Sequence, residues 1–203
     1  MLSGKVFFEE NFHTGGGYDS HLYIFNPDFS FEQYSYENPP DTSHYVNGIW
    51  ETCWFGDIHV FGDAGRTQFL FSLYLVSDSS TDMGVLVYYD VNGTPYTPTW
   101  GKTIPVNSAL LPGTYQDNFG DTWIFEVDGT GGTTSDGGRT YRWSVESGII
   151  RFVFPNEYVG RMYARASSQS SATSYTRFKG TFVLYTPIGD FSFYYGGLTL
   201  TRQ

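Results

Sequence analysis

The chain has 203 residues, one in five of them aromatic, with a single cysteine and a net charge of −10. Such a length buries roughly 70% of the unfolded surface, so stability does not require disulfides, and one cysteine cannot form an intrachain one. With 11 Lys and Arg against 21 Asp and Glu, the composition argues against nucleic acid and anionic membranes as partners, since both call for a basic surface.

Strand signals recur roughly every 8–12 residues. Lys5–Glu9 opens the series, followed by His21–Phe25 and by Phe29–Tyr36, which alternates Phe29, Phe31 and Gln33 against Ser30, Glu32 and Tyr34. Asn38-Pro39-Pro40-Asp41 reads as a turn, because neither proline can donate to a ladder. Val46–Thr52, Trp54–Phe61, Gln68–Val76 and Gly84–Val91 follow, and Asn92-Gly93 is a tight-turn dipeptide that folds Val85–Val91 back on Thr94–Trp100. Residues 93–112 hold four prolines and read as a connection between residues 1–92 and 113–203. Beyond it come Thr122–Val127, Arg139–Val145, Ile149–Phe154, Tyr158–Arg165, Thr176–Tyr185, Phe191–Tyr195 and Leu198–Arg202, with Gly131-Gly132 and Gly137-Gly138 beside a hairpin tip and a Ser-rich loop at Ala166–Ser174. No segment carries a sustained helical apolar stripe with caps, so helix content is expected to be very low.

The two halves echo each other. Tyr23-Ile24-Phe25-Asn26-Pro27-Asp28-Phe29-Ser30 matches Trp123-Ile124-Phe125-Glu126-Val127-Asp128-Gly129-Thr130, and Trp50 and Gly56–Phe61 match Trp143 and Gly148–Phe154. Leu73-Tyr74, Gly84 and Tyr88-Tyr89 are answered by Leu184-Tyr185, Gly189 and Tyr194-Tyr195, at offsets drifting between 92 and 111. Drift of this kind is what loop changes between retained strands produce. The fold class expected is all-β: two related antiparallel barrel or sandwich units of about a hundred residues, separate or fused into one body.

Residues with chemical potential are read as structural. Cys53, in the aromatic run Glu51-Thr52-Cys53-Trp54-Phe55, is expected to be a small buried apolar residue, with no activating histidine motif beside it. His13, His21, His44 and His59 show no metal-type spacing with one another or with Cys53. Glu9 and Glu10 point to opposite faces of a strand and cannot act as an acid–base pair. The Asp128–Gly138 loop lacks both the alternating acids of an EF-hand and the lysine of a P-loop. No catalytic, cofactor or metal residue is assigned, and no enzyme is expected. Trp50, Trp54, Trp100, Trp123 and Trp143 are expected to fill a β-core. The pairs Tyr34/Tyr36, Tyr88/Tyr89 and Tyr194/Tyr195 place some rings outside a single core, which favours contact with protein subunits or glycan.

Gly113-Thr114-Tyr115, Gly120–Phe125, Asp128-Gly129-Thr130-Gly131, Tyr141-Arg142-Trp143-Ser144-Val145, Gly148-Ile149-Ile150 and Phe154 form a series that resembles the lipocalin-like repeats of small bacterial proteins. The resemblance covers residues 113–154 well and the first half faintly. It implies an up-and-down β-barrel or sandwich with a small apolar pocket. Such repeats follow an export signal, whereas Glu9-Glu10 leave no room here for the apolar core of one. The expectation is therefore a non-enzymatic structural protein assembled in the cytoplasm with other subunits, such as a phage virion component (capsid decoration, tail or fibre subunit), with strand edges or aromatic faces as the contacts. The alternative is an exported lipocalin-like binder of an apolar ligand or glycan, its leader removed ahead of Met1. No run reaches the 18 apolar residues of a membrane span.

Overall fold

The computed structural model describes all residues except 1–2, 13–15, 39–41, 54–56, 79–81, 90–91 and 97–98, and gives the backbone alone for 12, 38, 74–78, 82–89, 95–96, 99 and 136. The expected turn residues Pro39–Asp41, the strand start at Trp54, His13 and the side chains of Tyr88 and Tyr89 thus lie outside the described residues. The described residues are mostly strand, joined by turns and irregular segments with two single 3-10 turns, and two compact units divide between Thr103 and Ile104. No helix among the described residues is long and apolar enough to cross a membrane.

In the first unit, alternating sequences form β1 (Lys5–Phe12), β2 (Tyr18–Phe25), β3 (Ser30–Asn38), β4 (Thr42–Thr52), β5 (Ile58–Phe61), β6 (Phe69–Asp78), β7 (Asp82–Tyr89), the two-residue β8 (Pro95–Tyr96) and β9 (Thr99–Ile104). Each strand from β1 to β7 pairs antiparallel with the next. β7 then pairs with β9, and β9 returns to β1 with Phe7 opposite Lys102. This is a closed, eight-stranded, up-and-down barrel with β8 as a branch on β7. An eight-stranded barrel is just wide enough for side chains to fill, and here Phe7, Tyr23, Phe25, Phe31, Trp50, Val60, Phe71, Leu73 and Trp100 do so.

The second unit repeats the plan with β10 (Gly113–Asp117), β11 (Thr122–Phe125), β12 (Thr130–Thr133), β13 (Arg139–Glu146), β14 (Ile149–Val153), β15 (Val159–Arg165), the short β16 (Gln169–Ser170), β17 (Tyr175–Tyr185) and β18 (Phe191–Arg202). Successive pairing runs from β10 to β15, then β15 to β17 and β17 to β18, and β18 closes on β10 with Tyr115 opposite Arg202. Its interior is filled by Tyr115, Trp123, Phe125, Tyr141, Phe152, Phe178, Phe182 and their neighbours. The two strands expected at Phe191–Tyr195 and Leu198–Arg202 are one. A register shift between Gly180 and Phe182 absorbs Gly196-Gly197 as a bulge, so the ladder is bent rather than broken.

The residues read as a connection have structural duties in both units. Thr99–Ile104 is the strand that closes the first barrel, and Trp100 is fully buried there. Residues 104–112 contain a 3-10 turn, Ser108–Leu110, held by Asn107 Oδ1 accepting from Ala109 N at 3.1 Å. Val106 and Leu111 of this segment are buried in the second core, and Tyr115 Oη donates to Leu111 O at 2.9 Å.

The strongest part of the internal echo is a shared hairpin. Phe25 and Phe125 each end the second strand of their barrel. In the turns that follow, Phe29 N donates to Asn26 O at 3.1 Å and Gly129 N to Glu126 O at 3.1 Å. Phe29 and Gly129 both adopt positive φ, 67° and 82°. Asp28 Oδ1 accepts from Ser30 N and Oγ, as Asp128 Oδ1 does from Thr130 N and Oγ1. On each fourth strand the tryptophan stands edge-on to that phenylalanine: Phe25–Trp50 at 5.8 Å and 81°, Phe125–Trp143 at 5.6 Å and 76°. The last part of the echo does not align. Leu73-Tyr74 lies on the sixth strand of its barrel and Leu184-Tyr185 on the seventh; Tyr88-Tyr89 lies on the seventh and Tyr194-Tyr195 on the eighth. Aromatic-rich strands resemble one another whatever their position, because the pleat selects the same residue types.

Candidate functional sites

Barrel closure uses up the edges of the eight wall strands in each unit. Strand edges, one of the two expected routes to assembly, are therefore occupied among these strands. Of the tyrosine pairs, Tyr34, Tyr36 and Tyr194 lie outside the two cores, as expected, but are covered rather than exposed. Tyr34 and Tyr36 sit two apart on one face and are both buried, Tyr34 stacking on Tyr45 at 4.9 Å and donating to Glu32 Oε2. Tyr194 is fully buried, and Tyr195 packs against the second core. Neither Tyr34, Tyr36 nor Tyr194 is an exposed contact ring. Trp50, Trp100 and Trp123 are core residues as expected, while Trp143 is only partly buried and donates from Nε1 to Thr130 O at 3.0 Å.

Inside the first barrel, one wall is polar. Glu9 points inward and is 2% exposed; it accepts from Tyr23 Oη at 2.9 Å and from Asn11 Nδ2 at 3.3 Å. Glu10, on the opposite face, accepts from Tyr18 Oη. His21 lies across the ladder from Glu9, with Nδ1 3.0 Å from Ser35 Oγ, which also accepts from Gln33 Nε2 at 3.2 Å. If Gln33 donates to Ser35, the Ser35 hydroxyl is free to donate to a neutral His21. Burial indeed holds the His21 imidazole below its ordinary value, against the opposing pull of Glu9, Asp19 and Glu37.

A pH prediction follows from that sign. The unfolded chain takes up the proton before the folded one, so the stabilisation is complete above about pH 6.5 and is lost as pH falls from there toward the depressed folded value. Asp28, Asp63 and Asp128 act in a separate window. Hydrogen bonds from Ser30, Gln68 and Thr130 hold their carboxyls below the ordinary value, so their contribution is lost only below about pH 4. Urea midpoints of His21→Gln should be flatter than those of the native chain just below pH 6.5 and should follow it below pH 4. Parallel profiles through the first window would refute the assignment to His21.

The outer wall of the first barrel carries a second cluster that sequence spacing did not reveal. Cys53 is half-buried just beyond β4, and its Sγ lies 3.2 Å from His59 Nδ1. Glu51 joins them, with one ligand atom of each of the three within 4.8 Å of the others. The expectations of a buried apolar cysteine with no nearby histidine are thus corrected. The six-residue separation matches no short metal motif, but β4 and β5 form a hairpin that places His59 opposite Glu51. The remaining histidine in the described residues, His44, is exposed with Nε2 3.2 Å from Thr42 Oγ1.

The second barrel carries an open trough of about 710 Å3 on its outer wall, lined by Ile124, Thr130, Gly132, Thr140, Arg142 and Val153 among others. Trp123 and Phe125 face the core, so Ile124 between them faces out. Gly132, paired with Ile124 on β12, faces out and leaves the middle of the trough without a side chain. On the inner face, the Tyr141 ring lies over Gly131, where a Cβ would approach Cε2 to 2.4 Å, and its hydroxyl donates to Ile124 O at 2.9 Å. No protein-family model matches the chain, and no curated protein or solved structure does so either.

Proposed function

We propose that the chain is a non-enzymatic structural and interaction protein that joins other protein subunits. A phage virion component is the setting that suits its acidic, lysine-poor, Tyr- and Gly-rich composition. The observation that carries this reading is the apolar end of the second barrel. Phe119, in the β10–β11 turn, is 64% exposed, and Ile188, in the β17–β18 turn, is 84% exposed. Because β10 pairs with β18 in an up-and-down barrel, these two turns stand at the same end. Phe119 leans edge-on against Tyr195 at 5.3 Å, and Phe193 on β18 is exposed as well. Exposed apolar groups on the turns, Val127 of the β11–β12 turn at 86% among them, suit a protein contact better than a lone exposed residue would. Both barrel interiors are filled with rings, which favours binding on outer surfaces. The shared hairpin supports a duplicated origin for the two units.

Sedimentation of the purified chain at micromolar concentration tests this. A stable assembly is expected, and Phe119→Ser with Ile188→Ser should dissociate it without altering the far-ultraviolet β spectrum. A 22.9 kDa monomer throughout would overturn the reading. The trough beside Ile124 and Arg142 is what favours the second reading, a lipocalin-like protein binding a glycan or apolar ligand, but on the wall rather than inside the barrel. That reading expects a monomer whose ligand affinity falls with Gly132→Val.

A further inference from the structure

The cluster on the outer wall of the first barrel has the composition of a metal centre. Trp50, Ile58 and Val60 point into the core, so period-two alternation sends Glu51, Cys53 and His59 outward together. Cys53 N donates to Asp57 O at 2.8 Å, which anchors the cysteine at the mouth of the β4–β5 hairpin and holds Sγ beside the imidazole. We propose that Glu51, Cys53 and His59 bind a zinc-class divalent cation, with the fourth coordination position open to an outside donor.

The donor set decides the class of ion. Thiolate, imidazole and carboxylate are the protein ligands of zinc, whereas calcium and magnesium take oxygen alone. A tetrahedral zinc centre needs S···N of roughly 3.6 Å, and the present 3.2 Å contact reaches it through a small side-chain movement. Burial, then Glu51 and Asp57, push the Cys53 thiol up. The same two carboxylates attract a cation. On binding, the S–H bond is replaced by an S–metal bond and one proton leaves to solvent, so affinity should rise with pH. Arg66 opposes the ion: its Nε lies 2.8 Å from Glu51 Oε2.

Cobalt(II) titration of the full, reduced chain provides the test, with zinc added afterwards to displace the cobalt. One equivalent should produce thiolate-to-cobalt charge-transfer absorption and tetrahedral ligand-field bands, both erased by zinc. Cys53→Ala should abolish the charge-transfer band, and His59→Ala and Glu51→Gln should each weaken binding by at least the roughly tenfold that losing a mere outer-shell partner costs. Arg66→Gln should strengthen it by about fivefold, the size of one exposed charge interaction. These side chains lie outside the core, so the far-ultraviolet spectrum should stay native and separate loss of binding from loss of fold. A native chain with no charge-transfer band, or a band that survives in folded Cys53→Ala, would overturn the proposal. Unchanged cobalt affinity in folded His59→Ala would do the same.

Discussion

Trp100→Ala is expected to lower the free energy of unfolding by about 3–5 kcal/mol, the range for removing a large aromatic from a packed core. Trp100 is fully buried. It stacks on Tyr23 at 4.5 Å and 16°, and its ring lies 5.8 Å from Phe7 and 6.1 Å from Phe25. It also sits on β9, the strand that joins β7 to β1, so the cavity would open where the barrel closes. Its indole Nε1 is buried with no hydrogen-bond partner, a state that costs on the order of 1–3 kcal/mol. Trp100→Phe removes that orphan donor while keeping a ring in the stack, so it should cost less than half as much as the alanine variant. Denaturant unfolding followed by circular dichroism measures both. A loss below about 1 kcal/mol for Trp100→Ala would show that the site collapses without penalty.

Gly48→Ala should cost about 3 kcal/mol or more, at the severe end of overpacking. A Cβ at this position would lie 1.8 Å from Phe61 O and 2.8 Å from Phe61 C. Both atoms are backbone, so no rotamer change relieves the contact. Gly48 directly precedes Ile49, which pairs with Phe61 at the end of β5, so the Phe61 carbonyl lies against the Gly48 backbone where the ladder ends. The substitution would push the two strands apart beside Trp50, which pairs with Val60 on the same ladder. Gly132→Ala is the contrasting case. Its Cβ would come no closer than 3.3 Å, to Arg139 O, on the open outer wall, so a much smaller loss is expected. Equal losses for the two variants would show that the β4–β5 contact is softer than its geometry implies.

Much of the fold was legible in the amino-acid order because strands report themselves locally. Alternation in Phe29–Tyr36 and Arg139–Val145, together with turn residues such as Asp28 and Asp128, marks pleated segments and their ends without reference to distant chain. The all-β class and the shared hairpin around Phe25 and Phe125 follow from such short-range signals. Closure does not. That Phe7 pairs with Lys102 and Tyr115 with Arg202 depends on contacts nearly a hundred residues apart, and nothing local in Thr99–Ile104 distinguishes a closing strand from a proline-rich connection. The exposure of the tyrosines was likewise undecided. A strand pattern says that Tyr34 and Tyr36 share a face but not whether that face is covered. The candidate metal cluster lay beyond sequence spacing for a related reason: Glu51, Cys53 and His59 meet through the register of β4 against β5, and a one-residue slip would have turned His59 into the core. Sequence alone determined the all-β class and most of the strands, because alternation and turn residues act locally; tertiary pairing decided that Thr99–Ile104 and Thr130–Thr133 are strands at all, which strands close each barrel, which rings are covered, and which three ligating side chains stand together.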